Sequence, residues 1–361
     1  MPAASLTPHP AARDRGRMTR RILFVAPRFH TNLFFATKAL IEAGHRVEVF
    51  VPRREPTEDY RHVTPQVFPA GTPPARIRRA VYDFAPDLVL VRHARPVSGA
   101  VLGACRFGRY RAWHYDLRAT DRPWPWWKAL EWRLQGWPAR RVTPKAGQGG
   151  GAPDPLATFL PWPVEAVPGF VRQPQEGPLR VVSVGKLLQP RKNHDKVMAA
   201  MAPLLREGRA VLTLVGSTLG SAKGAEMAWY DGLKAEAARF GEAVRIREDV
   251  PFDEMPGVYA AHEVCVLAAH KEPLGFAPVE AMAFGCVPVM SRQTGAAGYL
   301  TEGEDGFVVE AGDVPALAEV LARLAGDPAL VARVGRAARA TAEGPLGPAR
   351  FVERVETLLA R

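Results

Sequence analysis

At 361 residues, with 47% hydrophobic and 24% charged residues, the chain has a globular composition and is long for one core, so two domains are expected. No apolar run approaches the roughly 18–20 residues of a membrane span, and the separated Cys105, Cys265 and Cys286 exclude a disulfide framework and argue against a zinc site. The net charge of +11 is uneven: residues 1–160 carry 26 Lys and Arg against 12 Asp and Glu, and the remainder is slightly acidic. A basic first half suggests an anionic partner, such as lipid headgroups, a lipid-linked diphosphate or an acidic glycan; nucleic acid is disfavoured because no nucleic-acid-binding motif is present.

Residues 1–17 are rich in Ala, Arg and Pro without periodicity and read as a disordered extension, with Met18 an alternative start. They lack the apolar core of a signal peptide. Arg21 to Ala26 (RILFVA) is a buried parallel strand, Asn32 to Ala43 a helix that Thr31 or Asn32 can cap, and Arg46 to Val51 a second strand. This strand-helix-strand unit begins a doubly wound domain over 18–165. Its first loop, Pro27 to Asn32, has no Gly-x-Gly-x-x-Gly, which argues against a dinucleotide oxidoreductase. A strand over 87–91 ends at Arg92 and His93, and another over 112–116 leaves His114, Asp116 and Arg118 near the same edge.

Residues 122–141 (RPWPWWKALEWRLQGWPARR) hold five of the eight tryptophans among basic residues. Two readings stand, an interfacial membrane helix and a core helix with Trp127, Leu130 and Leu134 at i, i+3 and i+7, and they are compatible, with one face in the core and Trp124 and Trp126 outside. The glycine-rich 145–155 is expected to be a mobile loop, and proline-rich 166–178 a linker.

The second domain is expected over 179–345, beginning with a strand aimed at Gly185 and Lys186. Asn193 to Arg206 is a helix, and a strand over 210–215 ends at Gly216. The rest is organised around residues 264–290. A strand enters a polar turn with Glu272, Gly275 opens a helix carrying Glu280, and Gly285 closes it before a further strand. Two glutamates with seven residues between them can face one crevice at the carboxyl end of a sheet. The free N–H groups around Gly275, Phe276 and Ala277 suit a phosphate. Lys186 and Lys192, six apart across a strand-loop-helix, can meet the charge of a diphosphate, and no Asp-x-Asp demands a metal.

The segment from Glu272 to Val289 (EPLGFAPVEAMAFGCVPV), with Val184-Gly185-Lys186 and Arg191-Lys192-Asn193 upstream, resembles the Glu-x7-Glu and phosphate-binding motifs of retaining GT-B glycosyltransferases related to glycogen synthase and bacterial mannosyltransferases. Lys186 stands where that family usually has Arg, and the glycine pair of its first loop is missing. The resemblance implies an α/β GT-B architecture: two doubly wound Rossmann-like domains facing across a cleft, with a helix at 346–361 crossing back to the first domain. It implies that Glu272 contacts the transferred sugar, Glu280 the ribose, Val250 the base through its backbone, and His93 the reacting centre. The implied activity is hexosyl transfer from a UDP- or GDP-sugar to an acceptor glycan or lipid-linked sugar, with retention and without metal or cofactor. The expected setting is cell-surface glycan or glycolipid synthesis in the cytoplasm, peripheral on an anionic inner membrane face. A nucleotide-sugar epimerase, a phosphorylase and a non-catalytic glycan-assembly subunit are the alternatives.

Overall fold

In the computed structural model, residues 18–55, 58–147, 151–173, 176–219 and 224–360 are described; the extension expected over 1–17 lies outside them. The first domain runs β1 (Arg21–Val25), α1 (Thr31–Glu42), β2 (Arg46–Val51), β3 (Gln66–Val67), α2 (Pro74–Phe84), β4 (Leu88–Val91), α3 (Val97–Ala104), β5 (Arg111–Tyr115), α4 (Trp126–Leu134), β6 (Arg141–Thr143) and β7 (Ala157–Phe159). Its seven strands are parallel in the order β3-β2-β1-β4-β5-β6-β7. Side chains alternate across a strand, so strands covered on both faces, such as β1 and β4, are apolar almost throughout. In β1, Ile22 and Phe24 pack towards α1, while Leu23 and Val25 pack towards α2 and α3.

The second domain comprises β8 (Leu179–Val184), α5 (His194–Arg206), β9 (Ala210–Gly216), α6 (Gly224–Ala238), β10 (Val244–Glu248), α7 (Met255–Ala260), β11 (Val264–Leu267), α8 (Ala277–Met282), β12 (Val287–Ser291), β13 (Phe307–Val309), α9 (Val314–Gly326) and α10 (Pro328–Glu343). Its six strands are parallel in the order β10-β9-β8-β11-β12-β13. α11 (Pro348–Ala360) leaves this domain and lies on α1, burying Phe351, Val352, Val355 and Leu358 in the core that also holds Leu33 and Leu40. Between the domains, the rings of Phe34 and Phe35 on α1 meet Phe252 at 5.5 and 6.0 Å.

Three local expectations are corrected. α1 starts one residue early, and neither Thr31 nor Asn32 caps it. The extended His30 precedes the helix, and its carbonyl takes the N–H groups of Leu33 and Phe34. Asn193 precedes α5 rather than starting it. Its backbone is left-handed (φ 59°), and its side-chain amide donates to the Ala268 carbonyl at 2.6 Å, tying α5 to the end of β11. The core reading of α4 fails. Trp126 (78% exposed), Trp127, Leu130 and Leu134 (79%) all face solvent, because the helix is anchored from its other side by Trp132 and by Trp137 beyond it. Those two rings enclose His114, 4.7 and 4.6 Å between centroids, and burial pushes its imidazole down to about 3. His114 is therefore a neutral packing residue.

A buried ion cluster braces the loop that follows β5. Arg141, 2% exposed, donates to Asp154 Oδ2 and Asp116 Oδ1, each at 2.8 Å, and to the carbonyls of Arg118 and Ala119 at 2.9 Å. The other carboxylate oxygen of Asp116 accepts the Trp124 indole N–H at 3.2 Å. Asp116 is a structural ion, not a free acid or base. Burial raises its carboxyl above the usual range although Arg141 pulls it down.

Candidate functional site

The carboxyl ends of both sheets face one another across the domain boundary. A cavity of about 400 Å³ lies there. From the first domain it is lined by Arg28, His30, Arg92 and Tyr115, and from the second by Arg191, Glu272 and Gly275. Arg28, Arg92 and Arg191 line it together with three acids, Glu58, Asp59 and Glu272, so the arginines are local anion-binding points in a cavity of balanced charge. Burial, then Arg28 and Arg92, hold the His30 imidazole down at about 3, so it is neutral at physiological pH.

Glu272 is the best-defined group in this cavity. Lys192 Nζ sits 2.5 Å and Arg191 Nη1 3.0 Å from its Oε2. Burial works against ionisation, but the two cations outweigh it and keep the carboxyl below its ordinary value. The Lys192 stem reaches this point by running over Gly185, where an added Cβ would lie 3.0 Å from Lys192 Cδ. Gly185 is in turn fixed from two sides. Its carbonyl lies so close to Gly216 that a Cβ on Gly216 would come within 1.7 Å of the oxygen. It also accepts from His194 Nε2 at 3.2 Å, while His194 Nδ1 meets Ser183 Oγ at 3.0 Å. A carbonyl can only accept, which places the proton on Nε2. Gly275 is required as glycine twice over: its φ is +72°, and a Cβ would lie 2.5 Å from Thr294 Cγ2 and 2.6 Å from Leu267 Cδ2.

Glu280 opens elsewhere. It lies in the first turn of α8, accepts the Tyr259 hydroxyl at 2.7 Å, and lines a neighbouring cavity of about 360 Å³ with Lys38, Arg61 and His62. The two glutamates do not face a single crevice here. Their cavities adjoin at Phe34 and Phe252, which line both. Burial pushes the Glu280 carboxyl up to about 7.

The remaining candidates divide. Phe276 lines the central cavity, and Phe276 and Ala277 begin α8, where main-chain N–H groups have no intrahelical acceptor. Lys186 is exposed on the loop after β8, and Val250 packs partly buried beside Phe252. His93 is not brought to the cleft: its ring stacks on Trp137 at 5.8 Å and 11°. Its neighbour Arg92 lines the cavity instead and lies over the Tyr115 ring at 5.6 Å. Arg28 and His30 are groups that the sequence does not single out, and Arg92 and Arg191 are noted there without a role. The signal was their place after β1, after β4 and within the 3-10 turn Pro190–Lys192.

Residues 170–341 match the family model described as glycosyl transferases group 1, a span that contains Lys186, Lys192, Glu272 and Glu280. Among curated proteins, the chain is 36% identical over 160 residues to a D-inositol 3-phosphate glycosyltransferase of Streptomyces avermitilis, covering 43% of this chain and 34% of that one. It is 31% identical over 179 residues to a glycogen synthase of Mycobacterium tuberculosis, covering 49% and 40%. The matched part is thus less than half the length of these relatives. A glycosyltransferase from Rickettsia africae superposes with a TM-score of 0.72 at 13% identity, covering 94% of this chain and 98% of that one. Anabaena HepE in complex with UDP and glucose superposes with a TM-score of 0.71 at 16% identity, covering 94% and 99%. The fold is the GT-B architecture of two Rossmann-like domains. The likenesses support a group 1 glycosyltransferase.

Proposed function

We propose that this protein transfers a sugar from a nucleoside-diphosphate sugar to an acceptor hydroxyl, with retention and without a metal. The observation that carries the reading is Glu272, held ionised by Lys192 and Arg191 in an interdomain cavity that Arg28 and Arg92 also line. A carboxylate so placed can accept hydrogen bonds from sugar hydroxyls. Arg28, Arg92, Arg191 and Lys192 offer fixed positive charge where a diphosphate leaving group gains negative charge. Glu280, one cavity away, takes the ribose hydroxyls. That HepE binds UDP and glucose on the same fold supports the donor class. A thermal-shift screen against nucleoside diphosphates and their sugars tests it, since a ligand of the folded state raises the melting temperature. Binding with turnover only when an acceptor is supplied supports transfer. Turnover of donor without acceptor favours an epimerase, phosphorolysis favours a phosphorylase, and binding with no turnover favours a non-catalytic subunit.

The Glu280 carboxyl gives the screen a pH signature. Ribose hydroxyls donate best to its ionised form, so nucleotide affinity should fall as pH drops through about 7, by about tenfold in all. Its effect on stability has the opposite sense. A carboxyl raised from its ordinary 4.5 stabilises the fold below that value and loses the contribution as pH rises through about 7. Glu280→Gln should flatten both profiles. A nucleotide affinity constant between pH 5.5 and 8 in the unaltered protein would remove Glu280 from the ribose.

A membrane-surface setting is supported by α4. Trp126, Trp127, Leu130 and Leu134 form an exposed apolar face, with Lys128 and Arg133 on the same helix and Arg122 just before it. Indole rings beside cations suit the boundary of an anionic bilayer. Among the described residues no helix is long and apolar enough to cross a membrane. The reading places the enzyme on the cytoplasmic face, acting on a lipid-linked or cell-surface glycan. It should co-sediment with vesicles containing phosphatidylglycerol at low salt, and Trp126→Ala with Leu134→Ala should abolish most of that binding. Equal binding to neutral vesicles at high salt would count against it.

A further inference from the structure

We infer that a second interdomain cavity, on the far side of the Glu272 loop, is a site for a phosphate group carried by the acceptor. The inference rests on the glycosyl-transfer reading and names the class of acceptor for it. The cavity measures about 620 Å³. The first domain supplies the loop Leu117–Arg122 after β5 and Lys145–Ala146 after β6. The second supplies His270, Lys271 and the turn 292–295. It meets the central cavity at Leu117, which lines both. Glu272 follows Lys271 in the chain, and its carbonyl accepts the Gly295 N–H at 3.0 Å. A molecule in this cavity can therefore present a hydroxyl to the sugar held at Glu272. The cavity shares no lining residue with the one onto which Glu280 opens, so the nucleotide does not compete for it.

The walls are strongly basic. Arg118, Arg122, Lys145, Lys271 and Arg292 face, among the described residues, one acid, Asp121. Two of these cations are already engaged: Arg292 pairs with Glu310 at 2.5 Å, and Arg118 donates to the carbonyls of Arg122 and Pro123 at 3.1 and 2.8 Å. Arg122, Lys145 and Lys271 make no ion pair among the described residues. Lys145 is the informative one. It is partly buried, with its stem against Gly295, where an added Cβ would lie 2.4 Å from Lys145 Cε. Burial lowers the affinity of its amine for the proton. Glu272 opposes that shift and Arg122 adds to it. A half-buried ammonium without a bonded anion is unfavourable alone and is relieved by one. A neutral sugar would leave the three cations unanswered. A phosphate monoester offers three acceptor oxygens and close to two negative charges, which several convergent donors can share, and Arg122 can bind two of the oxygens at once.

The test is equilibrium binding of glucose 6-phosphate, glucuronate and glucose to the full chain and to Arg122→Ala and Lys145→Ala, with UDP and GDP titrated in parallel. Glucose 6-phosphate should bind at least about tenfold more tightly than the other two and lose about tenfold in each variant. The nucleotide that binds should change by less than about twofold and should not displace the sugar phosphate. Equal binding of glucose or glucuronate, indifference to both substitutions, or displacement by the nucleotide would each overturn the assignment. Sugar-phosphate binding that persists when neither nucleotide binds supports the cavity assignment and removes the donor reading instead.

Discussion

Glu272→Gln is expected to lower kcat/KM by roughly 10²- to 10³-fold while the protein stays folded. Glutamine keeps the shape and one acceptor oxygen but removes the charge that two cations surround. Lys192 Nζ at 2.5 Å and Arg191 Nη1 at 3.0 Å both bind this carboxylate. In the proposed reaction Glu272 positions the sugar, and Lys192 and Arg191 meet the charge of the diphosphate. The amide should therefore reduce kcat more than it raises the donor KM, because ground-state phosphate contacts survive. A stability cost of about 1–3 kcal/mol accompanies it, since Lys192 is 9% exposed and loses an ionic partner. Steady-state kinetics beside a urea melt separates the two effects. Activity within tenfold of the unaltered enzyme would remove Glu272 from the chemistry.

Much of this site is legible in the sequence because it is local. Glu272, Gly275 and Glu280 lie within one loop-helix segment, although Glu280 opens onto the neighbouring cavity, and glycine at 275 is dictated by a left-handed backbone. What is not legible depends on direction and distance. Arg92 and His93 are neighbours at a strand end, and successive side chains point to opposite sides. A shift of one residue thus decides which of them enters the cleft, and the packing of His93 on Trp137 decides it. The 3.6-residue spacing of Trp127, Leu130 and Leu134 identifies a helix correctly and says nothing of which face is covered. That depends on Trp132 and Trp137, which seize His114 from another strand. Likewise the two-residue strand β3 and the three-residue β7 carry too little periodicity to be seen. The apolar runs of β1, β4, β8 and β11 declare buried parallel strands at once.

The largest effect on stability should come from Arg141→Leu, at about 3–5 kcal/mol. Leucine fills part of the volume and leaves Asp116 and Asp154, both within 8% exposure, without the guanidinium that answers each of them. Removing one partner of a buried ion cluster is far costlier than never having built it, because the remaining charges stay desolvated. The deficit should depend on pH in a defined direction. Burial already holds the Asp116 carboxyl above its ordinary range, and without Arg141 only the hydrogen bonds from the Arg118 N–H and the Trp124 indole oppose that shift. A carboxyl raised in the folded state binds its proton more readily there, so the variant should recover stability as pH falls and lose it as pH rises. Urea midpoints at pH 5 and pH 8 should show the larger deficit at pH 8. A loss below about 1 kcal/mol at both would mean that the cluster relaxes into solvent. Arg141 also holds the carbonyls of Arg118 and Ala119, so the loop carrying Leu117 and Arg122 should loosen in the same variant. Sugar-phosphate binding should then weaken more than nucleotide binding. The reverse order would mean that the loop keeps its shape without the arginine beneath it.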